Sequence, residues 1–203
     1  MSETRKIRTA LVSVYHKDGL EALLKKLNDC GVQFVSTGGT RALIQGLGYT
    51  CRGVEEFTGY PSILGGRVKT LHPKIFGGIL ARRSMETDRA QMLQYEISPI
   101  DLVIVDLYPF EDTVTSGASM PEVIEKIDIG GISLIRAAAK NFADVVVVPD
   151  KAHYSTLLGI LEAHGAQTEL EERLRLAVDA FKVSSHYDTA IHSYLATIEQ
   201  HQK

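Results

Sequence analysis

Thr9-Ala10-Leu11-Val12-Ser13-Val14, the leucines at 20, 23, 24 and 27, and Val32-Gln33-Phe34-Val35-Ser36-Thr37-Gly38-Gly39-Thr40 decide the fold of this chain. The first run is short, apolar and rich in β-branched residues, and it predicts a strand. The leucines recur at i, i+3, i+4 and i+7, the spacing of a helix with one buried stripe. Gly31 then ends that helix. Val32–Ser36 predicts a second strand, and the Gly38-Gly39 turn leads into a helix through Leu47. Strand, helix, strand, glycine turn, helix is the grammar of a parallel α/β sheet.

Further along, Leu102-Val103-Ile104-Val105-Asp106-Leu107 and Val145-Val146-Val147-Val148 are continuous apolar runs stopped by Pro109 and Pro149. A strand covered by helices on both faces reads as such a run, not as an alternation. The fold class expected is therefore α/β, a Rossmann-like parallel sheet flanked by helices. After Pro149 the composition turns helical, over 152–164 and from 168 to roughly 199, with Leu170, Leu174, Ala177, Val178 and Phe181 at helical spacing. Residues 1–150 are expected to form the α/β domain and 151–203 a helical extension of the same unit. Two stretches, 58–79 and 115–133, hold so many Gly and Pro residues that irregular loops are expected there. Loops of that length in a compact domain are usually functional.

Composition narrows the function. The chain has 203 residues, 44% hydrophobic, with 22 basic and 25 acidic side chains and a net charge of −3. That is ample for one core, and ordinary enough to exclude wholesale disorder. A near-neutral balance gives no general reason to bind nucleic acid. No apolar run approaches the roughly 20 residues that span a bilayer, and no signal-peptide pattern is legible. The expected partner is thus a small molecule, with neither nucleic acid nor membrane. Cys30 and Cys51 have no metal-ligand spacing and read as reduced thiols of a cytoplasmic protein.

Four segments carry candidate chemistry. Ser36-Thr37-Gly38-Gly39-Thr40 sits where a strand gives way to a helix, so unpaired backbone N–H groups, two glycines and three hydroxyls suit a phosphate; a plain capped turn is the alternative. Neither a Walker A loop nor a dinucleotide fingerprint is present. Ser13 and Lys17 flank the end of the first strand, where ligands of open α/β sheets bind. In Gly65-Gly66-Arg67-Val68-Lys69-Thr70-Leu71-His72-Pro73, Arg67 and Lys69 alternate by two and face one way if extended. A fork and a point charge beside Thr70 suit phosphate or a developing oxyanion, although a surface basic loop has the same spacing. His72 is expected to pack. Lys126-Ile127-Asp128-Ile129-Gly130-Gly131 places a carboxylate before a helix that runs to Lys140. The two meet only if the fold brings both helix ends to one cleft. Tyr108 stands just past the strongest strand.

Taken in order, these segments, with Asp106-Leu107-Tyr108-Pro109-Phe110 and Arg136-Ala137-Ala138-Ala139-Lys140-Asn141, closely resemble the IMP cyclohydrolase domains of the bifunctional AICAR transformylase/IMP cyclohydrolase family over nearly the whole chain. The resemblance implies a methylglyoxal-synthase-like fold and dehydrative closure of FAICAR to IMP in purine biosynthesis. It implies no metal and no organic cofactor, a homodimer, and a linked or partnered transformylase domain that the visible residues do not contain. Carried over by motif, Ser13, Lys17, Ser36, Thr37, Gly38, Gly39, Thr40, Arg67 and Thr70 would hold the ribose 5-phosphate, with Asp106 and Gly130 as further substrate contacts. Lys69, Tyr108, Asp128 and Lys140 would surround the reacting base. Asp106 stands where Asn is frequent in the family, which adds a negative charge near the site. A methylglyoxal-synthase-type lyase and a nucleotide-binding allosteric module are the competing readings on the same fold.

Overall fold

A computed structural model of the chain describes residues 4–201, so Met1–Glu3 and Gln202–Lys203 lie outside the described residues. In chain order the elements are β1 (Arg5–Lys6), β2 (Thr9–Val14), α1 (Leu20–Asp29), β3 (Gln33–Ser36), α2 (Gly38–Gly46), β4 (Cys51–Gly53), α3 (Val54–Thr58), α4 (Pro73–Leu80) and α5 (Glu86–Gln94). There follow β5 (Leu102–Asp106), α6 (Phe110–Thr115), α7 (Met120–Ile124), α8 (Gly130–Lys140), β6 (Val146–Val148), α9 (Tyr154–His164), β7 (Gln167–Thr168) and α10 (Leu170–His201). No described helix is long and apolar enough to cross a membrane.

The five-stranded sheet has the order β4-β3-β2-β5-β6, parallel throughout, with Val12 opposite Ser36 and Val14 opposite Asp106. The expected strands are thus present. Their side chains Ala10, Leu11, Val12, Leu102–Val105 and Val145–Val148 are almost wholly buried, each large one stabilising the fold by about 1.5–3 kcal/mol. From β2 the chain moves through α1 to β3 on one side, and from β5 through α8 to β6 on the other. Right-handed crossovers therefore put α1 and α8 on opposite faces. Consistent with that, α1 packs with α9, and α8 packs with α10 and α4. The order reverses between β2 and β5. A crevice at the carboxyl ends of those two strands is where such sheets bind ligands.

The two stretches expected to be irregular are in part helical. Within 58–79, Gly59, Gly65 and Gly66 do break the chain, with φ of 73°, 64° and 91°. Gly77 and Gly78, however, lie inside α4. A Cβ on Gly77 would meet Ile97 Cδ1 at 2.9 Å, and one on Gly78 would meet the Ser98 carbonyl at 2.5 Å. These glycines admit close packing of the helix against the approach to β5. Pro73 opens α4, and His72 caps it, its Nδ1 accepting from Lys74 N–H at 3.1 Å. Within 115–133, α7 begins with a Ser119–Glu122 capping box and Pro121 in its first turn. Gly130 and Gly131 open α8.

The helical tail runs as expected and packs on the same core through Leu157, Leu161, Leu176 and Ala180. Its attachment is polar as well as apolar. Arg173 of α10 is fully buried and donates to the carbonyls of Phe142 (2.9 Å), Ala143 (3.1 Å) and Thr168 (2.7 Å). A two-stranded antiparallel ribbon, β1 with β7, joins residues 5–6 to the segment just before α10.

Candidate active site

The carboxyl edge of the sheet is built from three strand ends. After β2, Lys17 turns back toward the first turn of α2, where a Cβ on Gly39 would lie 3.5 Å from its Cε. Its ammonium also donates to the Tyr15 carbonyl at 3.1 Å. Thr37 is the residue before α2, in extended conformation, and its hydroxyl makes no capping bond. Gly38 has φ of 47° with open space where a Cβ would stand. The N-terminus of α2 thus presents Thr37, Gly38, Gly39 and an ammonium together, an arrangement that favours an anion. Ser13, half-buried, is the penultimate residue of β2.

Two of the hydroxyls expected near the phosphate also fasten the framework. The buried Ser36 hydroxyl donates to the Val12 carbonyl at 2.7 Å and ties β3 to β2. Thr40 Oγ1 donates to the Val14 carbonyl and accepts from Val14 N–H, fastening α2 to the end of β2. Strand ends and helix starts leave backbone groups unpaired, and these hydroxyls satisfy them. Asp106 is likewise engaged, accepting on one oxygen from both the backbone N–H and Nδ1 of His16, each at 2.7 Å.

Across the crevice, the Arg67–Thr70 segment faces the connector between α7 and α8. Arg67 forms an exposed ion pair with Glu125. Two residues on, the half-buried Lys69 lies close enough to draw the Asp128 carboxyl downward in pKa. The segment is not extended, since Arg67 has helical dihedrals (φ −65°, ψ −27°) in a turn, yet Arg67 and Lys69 still meet the carboxylates of one connector. Thr70 is buried against Gly130, where a Cβ would come within 3.0 Å of its Oγ1. Gly130 is needed for this contact.

Asp128 is the most constrained group on the edge. Its Oδ1 accepts from Gly131 N–H at 2.6 Å, and the Tyr108 N–H lies near enough to favour its charged form. Burial nevertheless pushes its carboxyl above the ordinary value, the two N–H donors and Lys69 only opposing the shift. The Tyr108 hydroxyl is raised too, by burial first and by Asp128 and Tyr15 second. The Tyr108 and Tyr15 rings meet edge to face at 5.4 Å, and Lys126 lies over both at 5.8 and 5.6 Å. From α10, Tyr187 accepts from Asp128 N–H at 2.7 Å and donates to the Lys126 carbonyl at 3.0 Å. Burial first lifts its hydroxyl to about 12, so it stays a neutral strut.

Lys140 does not join this cluster. Ten residues of α8 separate it from Gly130, about 15 Å of rigid helix. It lies exposed beside a largely apolar groove of about 520 Å³ that includes Phe76, Leu80, Phe142, Val178 and Phe181. Within one chain, the helix ends do not meet in one cleft.

Tyr15, His16, Lys126 and Tyr187 were not singled out from the sequence. The first two sit between Ser13 and Lys17 at a strand end, and the strand-end rule could have included them. Tyr187 carries no such signal, since only tertiary packing brings α10 to Asp128. Among the described residues no cluster of His, Cys, Asp or Glu could hold a metal ion.

Comparison with known proteins agrees with this architecture. Residues 19–133 match the MGS-like domain family, and residues 138–203 match the AICARFT/IMPCHase bienzyme family. The chain is 65% identical over 96% of its length to the bifunctional purine biosynthesis protein PurH of Bacteroides thetaiotaomicron. Identity is 48% to the protein of that name from Listeria monocytogenes, over 95% of this chain, and 48% to that from Cutibacterium acnes, over 97%. It spans 38% of the length of each of these relatives. The crystal structure of ForH superposes with a TM-score of 0.75 at 35% identity, covering 92% of this chain and 97% of that one. The chain therefore belongs to the MGS-like domain family, in the version that the bifunctional purine biosynthesis proteins carry.

Proposed function

We propose that this chain is an IMP cyclohydrolase, closing the formamido and carboxamide arms of FAICAR into the pyrimidine ring of IMP with loss of water. The observation that carries the reading is a partly desolvated carboxylate, Asp128, set against Lys69 and Tyr108 on the same sheet edge as the α2 N-terminus with Lys17. The names of the relatives support it.

The chemistry needs few groups. The carboxamide nitrogen attacks the formyl carbon, giving a tetrahedral carbon that carries an oxyanion; that oxygen then leaves as water. Lys69 stabilises the oxyanion. Asp128 takes the proton from the attacking nitrogen, and burial moves its pKa in the direction that makes it a better base. Tyr108, neutral because its hydroxyl is raised, donates one proton to the departing oxygen and Asp128 returns the one it took, so that the oxygen leaves as water. The formamido nitrogen gives up its own proton to Tyr108 as the ring C=N bond forms, which restores both side chains. The 5′-phosphate sits at Thr37-Gly38-Gly39 and Lys17, with Arg67 approaching from the opposite wall. It holds the reacting arms in place without touching them. Since the reaction is intramolecular, holding the reactive rotamer supplies much of the rate.

Lys140 enters the active site from a second copy of the chain. It stands about one α8 length away from Asp128 of its own chain. It also borders an apolar face, with exposed Leu174, Val178 and Phe181 on α10, that suits a homodimer. The test is IMP formation from FAICAR by absorbance. Asp128→Ala and Lys140→Ala proteins, each inactive alone, should regain part of the activity on mixing. Binding of IMP without turnover by the parent chain would make it a binding module, and phosphate release from dihydroxyacetone phosphate a lyase.

A further inference from the structure

The His16–Asp106 pair occupies the floor of the crevice and has no role in the chemistry above. Asp106 ends β5, and His16 lies two residues past Val14, the residue of β2 directly opposite Asp106. Their hydrogen bond therefore bridges the two strands between which the sheet order reverses, the position at which doubly wound sheets receive ligands. The carboxylate is only 10% exposed and the imidazole 34%. Among the described residues, the Asp106 side chain has no hydrogen-bond partner other than His16. Near it lies Tyr154 of α9, whose hydroxyl is raised by burial first and by Asp106 second, and is buried without a hydrogen-bond partner among the described residues. On the open side, Tyr15 meets the imidazole edge-on at 4.9 Å, Lys126 lies over the Tyr15 ring, and Lys17 is the next residue along the chain.

A nearly buried carboxylate on the floor of an anion-binding crevice repels the anion, because a low-dielectric wall screens its charge poorly. We propose that His16 is the built-in countercharge of Asp106 and a positioning residue for the substrate's phosphate. As a carboxylate, Asp106 can only accept, so Nδ1 carries the proton that faces it. That N–H and the backbone N–H of His16 both turn their positive ends onto one carboxylate oxygen and offset its charge toward the crevice. Lys17 and the α2 N-terminus are then left free to attract the phosphate without opposition.

This inference rests on the proposed phosphate position, and the test separates the two. Calorimetry would measure binding of IMP, ribose 5-phosphate and inosine to the full chain and to His16→Ala, Asp106→Asn and the double variant. His16→Ala keeps the backbone N–H bond to Asp106, and a melting curve checks that it folds. It should weaken IMP and ribose 5-phosphate about tenfold or more, since a charge is uncovered, and leave inosine within about twofold. Adding Asp106→Asn to His16→Ala removes the uncovered charge and should restore most of the lost affinity. An equal loss for inosine, or a double variant no better than His16→Ala, would overturn the countercharge role. If the parent chain binds neither phosphorylated ligand, the proposed function falls and takes this inference with it. If the parent binds both and His16→Ala is unchanged, only the inference falls.

Discussion

Replacing Gly131 by alanine tests whether the placement of Asp128, beyond its presence, matters. Gly131 has no unusual backbone conformation, so alanine fits the helix. What it lacks is room. A Cβ there would stand 2.6 Å from Asp128 Oδ2 and 3.0 Å from its Cγ. An ordinary carbon–oxygen approach is about 3.3 Å, so the carboxylate must retreat by about 0.7 Å. That displacement strains its bond from Gly131 N–H, now 2.6 Å long. A hydrogen bond to a charged group is worth about 1.5–3 kcal/mol, and the better helix propensity of alanine returns about 1 kcal/mol. The net stability loss should thus stay below about 2 kcal/mol. Turnover is more sensitive. A misplacement on the order of 1 Å costs about a hundredfold, so the expected fall in kcat is about 10- to 100-fold, with KM changed little because the phosphate cradle is untouched. Steady-state IMP formation and a thermal melt on the same sample read both quantities. The control is Gly159→Ala on α9, where a Cβ meets nothing within 4 Å. It should gain up to about 1 kcal/mol in stability and leave turnover alone. A Gly131→Ala enzyme with kcat within twofold of the parent would refute the view that Asp128 must sit where it does.

Asp128 should titrate above its ordinary 3.8, which a carbon-13 carboxyl NMR titration reads directly. In the window between 3.8 and the raised value the native state holds a proton the unfolded state has released, so this group's contribution to stability declines as pH rises through it. Catalysis runs the other way, being lost as pH falls through the raised value; a midpoint at or below 3.8 would defeat the desolvation account. Burial lifts the Cys51 thiol to about 11, so a colorimetric disulfide reagent at pH 8 should titrate the native protein's Cys51 far more slowly than the denatured chain's. Equal rates in the two states would contradict the packing. Arg173→Leu strips the carbonyls of Phe142, Ala143 and Thr168 of a buried donor and should cost about 3 kcal/mol or more in denaturant unfolding.

How much of this was legible in the sequence depended on what each residue touches. β2, β3, β5 and β6 are buried on both faces, and that condition writes itself as continuous apolar runs. The Gly77-Gly78 pair misled because a glycine that admits a neighbour inside a helix reads the same as one that breaks it. β4, β1 and β7 are two or three residues long, too short for any period. Of the candidate site, the structure brings Lys17, Thr37, Gly38, Gly39, Lys69, Tyr108 and Asp128 to one edge. Ser36 and Thr40 also bond the backbone, which no motif signals, because hydroxyls near a strand end serve the backbone as readily as a ligand. Lys140 stands apart from Asp128 of its own chain because a motif records order along the chain, while a helix imposes distance.

The small ribbon that joins Arg5 to Thr168 has a consequence for how the molecule is made. Those partners are 163 residues apart, so at a translation rate of about 5–20 residues per second the first of them waits roughly 8–33 s on the ribosome for the second. The central strand beside it also waits, since Thr9 meets Asp101 only 92 residues later. For that interval an apolar strand stands with one edge unfilled, and long-range closure of this kind is slow. Until Asp101 and Thr168 emerge, β2 and β1 lack the partners that cover them, which leaves the nascent chain open to mispairing.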